Sequence, residues 1–108
     1  MSDNAHYLYR IQPTRVAMLA EGCTPEEDAV ADAHFAYLER LSAEGVVVHA
    51  GRTLTEDEAS FGVVILATGD EAEARAIMEA DPAVVAGVMR AVLFPYRAAL
   101  GWGASAGG

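Results

Sequence analysis

An α+β sandwich of order β-α-β-β-α-β is the fold this sequence predicts, and three features carry that expectation. A long stretch between Thr24 and Gly45 has helical spacing, with Val30, Ala33, Tyr37, Leu38 and Leu41 recurring on one side. Two β-rich runs, Val46–Ala50 and Phe61–Ala67, follow, joined by a polar and acidic turn over Gly51–Glu58. A shorter helix and a final strand then complete the split βαβ pattern of a ferredoxin-like sandwich.

Each element has its own local cause. Tyr7, Tyr9 and Ile11 alternate with Leu8, Arg10 and Gln12, which makes a first strand that Pro13 stops. Residues Arg15 to Gly22 show no clear period and read as loop. Thr24, Pro25 and Glu27 give the long helix an N-cap, a first helical residue and a closed capping box, and Gly45 ends it. Asp70 and Glu73 read as a second capping box, with Ala74, Ile77 and Met78 on one face of about three turns. Asp81-Pro82 breaks that helix. The last strand runs from Val88 to Tyr96, and Pro95 near its end points to an edge or a strand end. Residues 1–97 are expected to form one domain, with 98–108 a flexible Gly/Ala-rich tail.

The composition narrows the function. The 108 residues hold 16 Asp plus Glu against 7 basic residues, all arginine, for a formal charge of −9. Such a surface repels phosphate backbones and anionic lipid, so neither nucleic acid nor a membrane surface is an expected partner. No apolar run approaches the roughly 20 residues of a membrane span. Residues 1–4 lack the basic and apolar regions of a signal peptide, and the single Cys23 suits a reducing compartment, so the cytoplasm is the expected location. Two helices cover only one face of a four-stranded sheet, yet Phe61–Ala67 is apolar on both faces. The open face is therefore expected to pack on a second copy, sheet against sheet, as a homodimer.

Few residues offer chemistry. Positions 30, 34, 37, 38 and 41 share one helical stripe, so His34 points toward the sheet. A partly buried imidazole there can take and return a proton, or it can be a core-edge histidine bonded to a carbonyl. Asp81 sits at the end of the second helix, where the helix dipole disfavours a carboxylate. It can cap a short turn over Ala83–Ala86, and one oxygen can cap while the other faces His34. Arg75 and Arg40 have acidic partners one helical turn away. Arg10 and Arg52 have none, and either can anchor a substrate anion or make a cross-strand or interface contact. Tyr37, one turn from His34, is a candidate for lining the same pocket. His6, His49 and Cys23 lack metal-ligand spacing, and no serine stands in a nucleophile elbow, so neither a metal nor a nucleophile is expected.

Four segments in order, His34-Phe35-Ala36-Tyr37-Leu38, Glu44-Gly45-Val46 leading to Ala50-Gly51, Ala80-Asp81-Pro82 with Ala86-Gly87-Val88, and Phe94-Pro95-Tyr96, resemble the YCII-related (YciI-like) family. The resemblance spans about Tyr7 to about Tyr96 and implies a dimeric α+β barrel with a His–Asp site, placed on His34 and Asp81. Many relatives have proline where Arg52 follows Gly51 here. Characterised relatives implied by the resemblance include a dehydrochlorinase of a chlorinated hydroxyhydroquinone, and the wider superfamily includes lactone isomerases and monooxygenases. The expected function is cofactor-independent His–Asp acid/base chemistry on a small anionic or aromatic molecule, with Arg10, Arg52 and Tyr37 as substrate-binding candidates. The alternatives are a non-catalytic small-molecule-binding domain and a structural dimerisation module.

Overall fold

The computed structural model describes residues 6–100. Most of the expected tail, 101–108, lies outside them. His6–Pro13 forms β1, whose inward side chains Tyr7, Tyr9 and Ile11 are all buried. It lies between Gly62–Leu66 (β3) and Met89–Tyr96 (β4), while Val47–Arg52 (β2) takes the far edge. The order β2-β3-β1-β4, antiparallel throughout, is that of the ferredoxin-like α+β fold. β4 is an edge strand, which is where Pro95 costs no ladder hydrogen bond.

The helices lie on one sheet face. Residues Pro25–Ala43 (α2) begin at Thr24 with a complete capping box, and their inward stripe ends in the buried pair Leu38 and Leu41. Glu71–Glu79 (α3) buries Ala74 and Met78. These meet Tyr7, Tyr9, Ile11, Val64 and Leu66 in one core. The cap of α3 differs from the expected box: the Asp70 carboxylate accepts from the Ala72 N–H, a single cap bond without Glu73. Pro82–Val85 (α4) is the short turn that Asp81 caps.

The segment read as loop contains a helix, Ala17–Glu21 (α1). Its one buried residue, Met18, leaves no stripe for a period to register. Tertiary bonds hold it instead. Arg15 donates to both carboxylate oxygens of Glu27, at 2.9 and 2.6 Å, and to the Gly22 carbonyl at 3.1 Å. The Arg15 guanidinium, and after it the Thr24 N–H, hold the Glu27 carboxyl down at about 2 from its usual 4.5. A depressed carboxylate stabilises the fold above its unfolded value and loses that contribution as pH falls through the folded one. The difference in melting temperature between the native chain and Glu27→Gln is therefore expected to shrink as pH falls from about 4.5 to about 2. Parallel melting curves across that window would remove the clamp as a source of stability.

The register of β2 matters most for the site. Val47 pairs with Leu66, but a bulge between Val47 and His49 shifts the phase, so Ala50 pairs with Val64 and Arg52 with Gly62. Simple alternation from Val47 would turn Arg52 away from the helices; the bulge turns it toward them. On the opposite face stand Leu8, Arg10, Val63, Ile65, Val92 and Phe94. Val92 and Phe94 are about 40% exposed there, so β3 is apolar on both faces and only one of them carries helices (41% and 39%).

Candidate active site

His34 lies one helical turn before Leu38, on the stripe that faces the sheet, and its side chain is 16% exposed. Asp81 reaches the same place from the other side. It follows the last turn of α3, where its N–H donates to the Met78 carbonyl, and it opens α4 by accepting the Ala83 N–H on Oδ1 at 2.9 Å. Its side chain is wholly buried. The two groups, 47 residues apart, meet with His34 Nδ1 2.7 Å from Asp81 Oδ1 and 2.8 Å from Oδ2. Tyr9 of β1 donates its hydroxyl to Oδ2 at 2.8 Å.

The protonation pattern follows from these contacts. A buried carboxylate persists only when donors surround it, and here a phenol, a backbone amide and an imidazole do so. Because the carboxylate is acceptor-only, the Nδ1 of His34 carries the proton. Nε2 is then the ring nitrogen that carries the free lone pair. Burial first, and then the Asp81 charge, pushes the Tyr9 hydroxyl far above its usual 10, so Tyr9 stays a donor.

A cavity of about 410 Å³ opens between α2 and the β2–β3 end of the sheet. That size suits a small organic molecule. His34, Phe35 and Leu38 form one wall, and Ile11, Gly62 and Val64 form the floor. Leu19 of α1 closes one side. A side chain at Gly62 would approach Ile11 Cγ1 to 3.0 Å, so glycine keeps the floor flat. The lining is mostly apolar; beyond His34, its polar side chains are Arg52 and Ser60, the latter 4% exposed.

The sequence candidates thus separate. His34, Asp81 and Arg52 converge: the first two touch each other, and Arg52 lines the cavity that His34 walls. Arg10 does not join them. Its register partners Val63 and Val92 place it on the helix-free face, where its guanidinium lies 5.6 Å from the Phe94 ring and its buried Nε has no hydrogen-bond partner. Tyr37 also lies outside the cavity lining, because its hydroxyl is drawn to the Ile77 carbonyl at 2.7 Å, tying α2 to α3. Neither Arg10, a candidate anchor for a substrate anion or a cross-strand contact, nor Tyr37, a candidate wall of the pocket, lines this cavity. Among the described residues, no group of three or more His, Cys, Asp or Glu side chains could hold a metal ion. At Cys23, desolvation and the neighbouring Asp28 and Glu27 carboxylates raise the thiol pKa, the opposite of activation.

Two residues of the site escaped the sequence reading. Tyr9 reads in the sequence as one alternating residue of the first strand, and the available signal is that an inward-facing tyrosine needs a partner for its hydroxyl. Ser60 sits before β3 in a polar turn, where nothing in its neighbourhood marks it as buried.

A ferredoxin-like α+β chain with an imidazole–carboxylate pair at the wall of an apolar cavity is the class this fold and site define. The chain belongs to the YCII-related family, whose domain model matches residues 6–94. A search of curated proteins returned no match. Among solved structures, the chain is similar to 5-chloro-2-hydroxyhydroquinone dehydrochlorinase from Burkholderia phenoliruptrix AC1100, in complex with 2,5-dihydroxybenzoquinone. The TM-score is 0.61 at 21% identity, covering 84% of this chain and 93% of that one. At that identity the likeness is one of fold.

Proposed function

We propose that this protein is an enzyme that works without a cofactor, by His–Asp general acid/base chemistry of the lyase, isomerase or dehydrochlorinase kind, on a small anionic or aromatic molecule. The observation that carries the reading is the Nδ1 of His34, 2.7 Å from a wholly buried carboxylate, at the wall of a cavity of about 410 Å³. Nε2 takes a proton from a carbon or hydroxyl of the guest, and Asp81 stabilises the imidazolium that forms. In an isomerisation the proton returns to another atom of the substrate. In a dehydrochlorination the C–H electron pair forms the new π bond while chloride leaves with the C–Cl pair, and the imidazolium releases its proton to water. The dehydrochlorinase activity of the similar structure supports this class of reaction. Arg52 and Ser60 supply the polar contacts for an oxygen or anionic group of the guest, and the apolar lining suits its body.

The test is a thermal-shift panel of hydroxylated aromatics, chlorinated aromatics and lactones, with every stabilising compound followed for conversion by mass spectrometry. Arg52→Ala is expected to weaken a bound anion about tenfold, the ~1.5 kcal/mol of one charge-assisted hydrogen bond. Ligands that bind without conversion would assign the cavity to a non-catalytic binding domain instead.

The same reading includes a cytoplasmic homodimer joined through the helix-free sheet face. Exposed Val92 and Phe94, beside Leu8 and Val63 on an otherwise uncovered sheet, support it. Light scattering is expected to give twice the chain mass at micromolar concentration. Phe94→Asp is expected to weaken association by about 2 kcal/mol, roughly thirtyfold. A native chain that runs as a monomer would end this part of the reading.

A further inference from the structure

The Asp81 carboxylate distributes its acceptor capacity in a particular way. Oδ1 takes the Ala83 N–H at 2.9 Å, Oδ2 takes the Tyr9 hydroxyl at 2.8 Å, and the Nδ1 of His34 lies within 2.7 and 2.8 Å of the two oxygens. The amide and the phenol thus hold one oxygen each, and the imidazole sits between them. The amide bond comes with the capping of α4 and is fixed by the backbone. The phenol is a side chain from β1, on an element that neither His34 nor Asp81 belongs to, and it is wholly buried.

We propose that Tyr9 is a positioning residue of this site: by drawing charge from Asp81 Oδ2, its hydroxyl sets how tightly the carboxylate holds the Nδ1 proton of His34. The physical reason is competition between donors at one acceptor. A carboxylate oxygen that donates electron density to one hydrogen has less to offer the next, and the effect is strong where water cannot compensate. Burial and the adjacent carboxylate keep the phenol protonated, so its donor role is permanent. Tyr37 raises no competing bond, because its own hydroxyl is engaged by Ile77. The inference rests on the acid/base reading of His34 and Asp81 for its catalytic meaning, but its physical content is a statement about one hydrogen bond.

The experiment is 15N-edited NMR on the full chain, following the Nδ1–H of His34, with the signal assigned by its loss in His34→Ala. In Tyr9→Phe, Oδ2 regains density, the imidazole bond shortens, and the resonance is expected to move downfield. With 3-fluorotyrosine placed at position 9, a more acidic phenol draws harder on Oδ2, and the resonance is expected to move upfield. A role in packing alone predicts no such opposed shifts, since the fluorinated ring keeps the shape and the hydroxyl. An unmoved resonance, or shifts of the same sign in both variants, would overturn the proposal. The fluorotyrosine variant decides alone if Tyr9→Phe does not fold. Opposed shifts without turnover of any tested compound would retain Tyr9 in this role and discard the catalytic reading.

Discussion

Replacing Asp81 with alanine is expected to lower stability by about 3 kcal/mol, because it removes the common acceptor of three donors at once. The Tyr9 hydroxyl, the His34 Nδ1–H and the Ala83 N–H all converge on this side chain. Among the described residues none of them has a hydrogen-bond acceptor other than Asp81, and the carboxylate side is closed to water, where the Asp81 side chain is 0% exposed. For a domain of this size the loss corresponds to a fall in melting temperature on the order of 15 °C. Asp81→Asn is expected to fall between that value and the native one. The amide keeps one acceptor oxygen but turns a donor N–H toward groups that are themselves donors. Thermal unfolding followed by circular dichroism checks both. A change of only a few degrees in Asp81→Ala would mean that the buried network contributes little and that the three donors find acceptors elsewhere.

His34→Ala is expected to reduce turnover of a compound identified in the ligand panel by roughly 10²- to 10⁴-fold, the range supplied by one positioned acid/base group. Affinity for the same compound is expected to change much less, since the apolar walls and Arg52 remain in place. Added imidazole, small enough for the space the ring vacates, is expected to restore part of the rate. Steady-state kinetics separates the two effects, with the loss in kcat rather than in KM. A variant that turns over at the native rate would exclude His34 as the proton carrier.

The two halves of the pair differ in how far they could be read from the chain. His34 falls on the stripe that runs through Leu38 and Leu41, so its direction follows from helical spacing alone. Asp81 is followed by Pro82, and the cap it makes on α4 is a local event that the sequence announces. Their meeting is not local. It depends on α2 and α4 packing side by side, which the βαββαβ order brings about once the sheet forms. The same distinction explains Tyr37: helical spacing places it near His34, and tertiary packing then draws its hydroxyl to α3. α1 leaves no mark in the sequence because one buried methionine makes no period, and its anchorage by Arg15 and Glu27 spans elements.

The sequence by itself determined the four strands and the two main helices, their order, the inward direction of His34 and the capping role of Asp81, because periodicity and capping act over a few residues. Tertiary structure alone decided which sheet face each arginine takes. Arg10 is fixed by its pairing with Val63 and Val92, and Arg52 by a single bulge in β2 that reverses its side of the sheet. Strand register is a relation between segments far apart in the chain, and one residue of slip exchanges the two faces.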